Sequence, residues 1–101
     1  MFEELETRVR EWAHDRYIPQ NSTPQAQLLK AVSELGELCD AEIKNDLPAQ
    51  VDGVGDVLVC LIIYCQMRGY NMTSCLNTAY EEIKNRKGRM AKGGAFIKED
   101  C

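Results

Sequence analysis

Nine consecutive apolar residues, Val57-Leu58-Val59-Cys60-Leu61-Ile62-Ile63-Tyr64-Cys65, lie inside a chain of 101 residues and restrict what it can fold into. The run is shorter than the about 20 residues that a membrane-spanning helix needs. A strand of a buried parallel sheet and a helix buried on every side both suit such a run. The flanking segments decide between them, because each has helical periodicity and no partner strand is in sight. The run therefore predicts a buried helix over about residues 49–68, stopped by Gly69.

Three further helices are expected. Phe2, Leu5, Val9, Trp12 and Ala13 recur at three- and four-residue steps, which predicts an amphipathic helix over about residues 2–16, ending before Ile18-Pro19. Ser22 or Thr23 can cap the next helix and Pro24 suits its first turn. It runs to about Lys44, with Leu28, Val32, Leu35, Cys39 and Ile43 as its expected buried stripe. Asn45-Asp46-Leu47-Pro48 reads as a turn. Met72, Cys75, Leu76, Ala79, Tyr80 and Ile83 mark a last helix over about residues 72–86. Gly88, Gly93 and Gly94 then break the pattern, so residues 88–101 are expected as a loop-like tail whose Phe96-Ile97 pair docks on a neighbour.

No repeat or linker interrupts residues 1–101, which predicts a single all-α domain of the four-helix bundle kind. Three short helices can hardly cover one that is apolar all round. A homodimer or homotetramer is expected for that reason.

Charge narrows the functional classes. The net charge of −4 argues against stable nucleic-acid binding, which needs a basic surface. The signs are unevenly spread, however. Lys84, Arg86, Lys87, Arg89, Lys92 and Lys98 crowd the C-terminal end, and Glu34, Glu37, Asp40, Glu42, Asp46, Asp52 and Asp56 dominate the middle. A substrate made of phosphate and metal would want both. Met1 is followed by Phe2-Glu3-Glu4 rather than a basic and then apolar leader, and five cysteines without a CxxC pair suit reduced thiols. The expected setting is the cytoplasm (that of a host, if the chain is phage-encoded), with no membrane partner.

Two pairs of acids carry the chemistry. Glu34 and Glu37 share one side of the second helix with Lys30 and Lys44. Taken alone, such a pair is most often a solvated face. Asp52 and Asp56 share a side of the third helix, at the mouth of its apolar run. Burying a lone carboxylate costs several kcal/mol (about 3–5) unless it is paired or bound to metal. The helix dipole accounts for acids in a first turn, which explains Asp52 better than Asp56. Gly53 and Gly55, between them, suit a close approach of a helix or ligand. Two helices joined by a short turn run antiparallel, so the four acids can face one cleft. Oxygen-only donors suit magnesium or manganese, and the lone His14 argues against zinc and di-iron sites.

Glu34-Leu35-Gly36-Glu37, followed after a turn by Asp52-Gly53-Val54-Gly55-Asp56-Val57-Leu58-Val59, resembles the MazG family of all-α nucleoside triphosphate pyrophosphohydrolases. Trp12-Ala13-His14-Asp15-Arg16, Ile83-Lys84-Asn85-Arg86-Lys87-Gly88 and Gly94-Ala95-Phe96-Ile97-Lys98 extend the likeness to short MazG-like proteins of phages and bacteria. The family has an ExxE motif on one helix and ExxD on the next. Glu34 and Glu37 match the first, and Asp56 matches the second motif's aspartate. That motif's glutamate falls on Gly53, and Asp52 is the expected substitute. The resemblance implies hydrolysis of an NTP or dNTP to monophosphate and pyrophosphate with magnesium or manganese. It implies Glu34, Glu37 and Asp56 as metal ligands, and Asp52 as an auxiliary ligand or water-orienting base. Lys87, with Lys30, Lys84, Arg86, Asn85 and Tyr80, is expected on the substrate's phosphates or sugar. Trp12 is a candidate for stacking on the base, and an ordinary core residue otherwise. A dUTP-specific or phosphoribosyl-ATP pyrophosphohydrolase, and a non-enzymatic helical adaptor, are the alternatives.

Overall fold

The computed structural model describes residues 1–99; Cys101 and the end of the expected tail lie outside them. Helix α1 (Phe2–Asp15) closes at Arg16, and Tyr17 turns the chain at φ 59°. A single-turn helix, α2 (Ile18–Asn21), follows and is absent from the pattern-based reading. Pro19 explains it: proline ends a helix before it yet fits the first turn of a new one. The Thr23 hydroxyl then accepts the Ala26 N–H at 3.1 Å and starts α3 (Pro24–Ile43).

Asp46 Oδ1 accepts the Ala49 N–H at 3.2 Å, so α4 (Leu47–Arg68) begins inside the expected turn. Gly69, at φ 75°, ends it. Asn71 Oδ1 caps α5 (Met72–Ile83), which stops three residues short of Arg86. The tail is not a loop. β1 (Gly88–Met90) pairs antiparallel with β2 (Phe96–Lys98), with Arg89 opposite Ile97. Gly88 permits the pairing, because a Cβ there would run into the Phe96 ring and the Ile97 carbonyl.

The body of the fold is α3 packed along α4. They pack tightly at Gly53, where an added Cβ would stand 3.1 Å from Leu38 Cδ1. Gln27, Ala31, Glu34, Leu38 and Ala41, with Pro24 at its start, are the buried or half-buried residues of α3. The stripe expected to be buried is not. Leu28, Leu35, Val32 and Ile43 are exposed, the last two at 68% and 82%, and Cys39 is exposed too. Small side chains let two helix backbones approach, so the alanine face meets α4 and the bulky stripe turns about 100° away. Likewise Phe2, Leu5 and Trp12 are exposed on α1, and only Ala13 of that stripe is fully buried.

Helix α1 crosses α4, with Gln66 Nε2 donating to the Arg10 carbonyl at 3.1 Å. The buried Glu6 carboxylate accepts the Met72 N–H at 3.2 Å and pairs with Arg10, pinning the α4–α5 turn to α1. Beyond Met72, α5 leaves the body, and residues 73–90 are all exposed. The radius of gyration is accordingly 16.3 Å, against about 13 Å for a compact chain of this length. Helix α4 reaches 22 residues and a window of mean hydropathy 1.5, enough to cross a bilayer by length and composition alone. In this fold it lies along α3 with Asp52 and Asp56 in its first half.

Candidate functional site

Because Asp46 caps α4 earlier than the pattern suggested, Asp52 is its sixth residue and Asp56 its tenth. Both lie past the first turn, where the helix dipole acts, so the dipole explains neither. On α3, Glu34 is half-buried and faces α4, with Lys30 Nζ 3.7 Å from its Oε1 one turn earlier.

The electrostatics tie these residues together across the two helices. A hydrogen bond with Glu37, partial burial and the Glu37 charge hold the Glu34 carboxyl above its ordinary value, and Lys30 pulls the other way. Burial comes first in raising Asp56, followed by the charges of Asp52 and Glu34 and a hydrogen bond with Asp52. Glu34, Glu37, Asp52 and Asp56 therefore act on one another across the two helices, relieved in part by Lys30.

Gly53 cannot belong to this cluster. Its would-be side chain points at the Leu38 backbone, with Leu38 Cα only 3.4 Å from an added Cβ. A glutamate there would be driven between the helices. Asp52, one residue earlier, is exposed and acts on Asp56 instead. Nothing lies within 4 Å of an added Cβ at Gly55, so close approach explains only one of the two glycines.

Among the described residues, no three histidine, cysteine or carboxylate side chains are drawn together tightly enough to hold a metal ion as they stand. Their chemistry nonetheless suits a hard divalent cation: oxygen donors only, crowded past what one lysine neutralises. Glu37 and Asp52 are exposed and free to change rotamer. His14 stands apart on α1 beside Asp15.

A cavity of about 350 Å³ between α1 and α4 reaches one of the acids, Asp56, and is lined besides by Leu5, Arg8, Val9, Trp12 and Val59. Trp12 thus shares a wall with Asp56, and the Arg16 guanidinium lies 4.8 Å above its ring. Arg8, which the sequence reading passed over, is one helical turn before Trp12, and that spacing was the available signal.

The C-terminal bases are placed differently from expectation. Tyr80, Lys84, Asn85, Arg86 and Lys87 all lie exposed on the outer part of α5 and the link to β1. Lys84 pairs with Glu81, whereas Lys30 is the base whose charge lowers both Glu34 and Asp56. Lys87 is exposed in the link beyond α5, which ends at Ile83.

No family model matches the chain. Over 61 residues it is 38% identical to an uncharacterized 18.2 kDa protein from the rep-hol intergenic region of Haemophilus phage HP1. That match takes in 60% of this chain and 37% of the phage protein, so the chain spans little more than a third of its relative's length. Its fold is similar to that of the cyanophage S-2L MazG-like pyrophosphohydrolase solved with dGDP and three catalytic Mn2+ ions per active site. The TM-score is 0.74 at 21% identity, over 100% of this chain and 95% of that one. The α3–α4 pair with its acidic cluster is thus built on a MazG-like helical fold.

Proposed function

We propose that the chain is a metal-dependent nucleoside triphosphate pyrophosphohydrolase, cleaving the α–β anhydride of an NTP or dNTP to give monophosphate and pyrophosphate. The observation that supports this most is the convergence of Glu34, Glu37, Asp52 and Asp56 from two helices beside the Trp12 cavity. The cyanophage protein of like fold, which binds dGDP and Mn2+, adds weight.

Glu34, Glu37 and Asp56 would hold magnesium or manganese, which neutralises triphosphate charge as the anhydride breaks. Asp52, exposed beside Asp56, orients the attacking water and accepts its proton. Trp12 offers a ring face to the base, and Arg8 a guanidinium to the sugar-phosphate. Lys30 balances the acids while substrate is absent. An adaptor would account for exposed apolar stripes but not for carboxylates from two helices acting on one another.

The reading includes a homodimer or homotetramer. A second copy is the natural cover for Leu28, Val32, Leu35 and Ile43 on α3. In such an assembly Lys84, Asn85, Arg86, Lys87 and Tyr80 reach phosphate on another copy's nucleotide rather than their own. The setting is cytoplasmic, without stable nucleic-acid or membrane binding.

Pyrophosphate release from all eight common NTPs and dNTPs, with magnesium or manganese, tests the proposal. Wild type is expected to turn over at least one, and Glu37→Gln and Asp56→Asn to lose activity while circular dichroism stays unchanged. No turnover of any nucleotide, or a variant keeping more than about a tenth of wild-type kcat, overturns it.

A further inference from the structure

The α4–α5 corner holds two thiols that the nucleotide site does not use. Cys65 lies near the end of α4 and is buried; Cys75 lies in the first turn of α5 and is exposed. Both line one cavity of about 580 Å³, together with Phe2, Leu61, Tyr64 and Met72. The corner between them is held in place. The Tyr70 N–H donates to the Cys65 carbonyl at 2.8 Å, the Tyr70 ring meets Tyr64 edge-on, and Glu6 accepts the Met72 N–H. After burial, the neighbouring Cys75 thiol is the next cause raising Cys65 above its ordinary value. Cys39 and Cys60 do not line this cavity.

We propose that Cys65 and Cys75 form a reversible disulfide when the protein meets a peroxide, and that this cross-link stiffens the joint through which α5 leaves the body. The exposed Cys75 sulfur attacks one peroxide oxygen; the O–O bond breaks, leaving a sulfenic acid on Cys75 and releasing water. The Cys65 sulfur then attacks the Cys75 sulfur. The S–S bond forms, the S–O bond breaks, and the hydroxyl departs as water with the Cys65 proton. The two sulfurs lose two electrons in all, and the peroxide is reduced to two waters. Burial keeps Cys65 protonated and shielded until its neighbour is oxidised, so Cys75 reacts first. The consequence falls on α5, which carries Tyr80, leads to Lys84 and is exposed at every residue beyond Met72.

Hydrogen peroxide treatment of the full chain, followed by thiol counting, peptide mapping and thermal melting, tests this independently of any nucleotide hydrolysis. The expected result is the loss of two thiols per chain, one Cys65–Cys75 cross-linked peptide, and a Tm several degrees higher that dithiothreitol returns to the starting value. Cys75→Ser, at an exposed position, should fold normally by circular dichroism and lose both the cross-link and the Tm shift. Cys101→Ser should retain them. A cross-link through Cys39, Cys60 or Cys101, a Cys75 oxidised only to the sulfinic acid, or no loss of thiols overturns the proposal.

Discussion

Alanine at Gly53 should push apart the two helices that carry the acids, and the cost follows from the contact there. The added Cβ would meet Leu38 Cδ1 at 3.1 Å, Cβ at 3.2 Å and Cα at 3.4 Å. The Cδ1 methyl can rotate away. The Cβ and Cα cannot, because they move only with the α3 backbone, so α4 must retreat by a few tenths of an ångström. Overpacking of this kind costs about 1–3 kcal/mol. Alanine in place of glycine in a helix returns about 1 kcal/mol. Gly53→Ala is therefore expected to lie between neutral and about 2 kcal/mol less stable than wild type. Gly55→Ala is the matched control, two residues along the same helix with nothing within 4 Å of its added Cβ. It has the propensity gain without the contact, and should be about 1 kcal/mol more stable than wild type. The difference between the two variants, about 1–3 kcal/mol, isolates the approach of α3 to α4. Urea unfolding at one fixed protein concentration, metal-free, measures it, and unchanged m-values make the comparison valid. Equal stability of the two variants would refute the close approach at Leu38. Asp56 is on the same helix, so Gly53→Ala should also raise the magnesium concentration needed for half-activation.

Asp52→Asn should raise the metal requirement or lower kcat about tenfold or more; a magnesium titration that superimposes on wild type removes Asp52 from the site. The metal-free protein should gain stability as pH falls. Glu34 is raised chiefly by its hydrogen bond with Glu37 and Asp56 chiefly by burial, so the folded state holds protons that the unfolded chain has released. That gain builds as pH drops through the raised values, and is complete below the ordinary values of 4.5 and 3.8. A Tm of the EDTA-treated protein that falls over the range from neutral pH down to 4.5 would contradict it. Val32→Glu, on the exposed α3 stripe, should shift light scattering toward the monomer while leaving helix content intact; an unchanged mass excludes that stripe as the contact between copies.

Much of this molecule is local chemistry, and local chemistry is readable in a sequence. Thr23, Asp46 and Asn71 each cap a helix with their own side chain, Gly69 supplies the left-handed stop, and the spacing of Glu34, Glu37, Asp52 and Asp56 puts each pair on one side of its helix. Even the single-turn α2 follows from Pro19, once proline is read as a starter as well as a breaker. Which face of a helix meets its neighbour is a different kind of fact. Hydrophobicity pointed to Leu28, Val32, Leu35 and Ile43 as the inside of α3, but packing buried Ala31 and Ala41 instead and set Leu38 against Gly53. The direction of α5 was equally hidden, since it depends on Glu6 and Arg10, sixty or more residues earlier in the chain, gripping the turn before it. That direction decides that the C-terminal bases stand away from the acids of their own chain. Periodicity reports how a helix divides its own surface, whereas the partner of each face is set by contacts between residues far apart in sequence, and these exist only once the chain has folded.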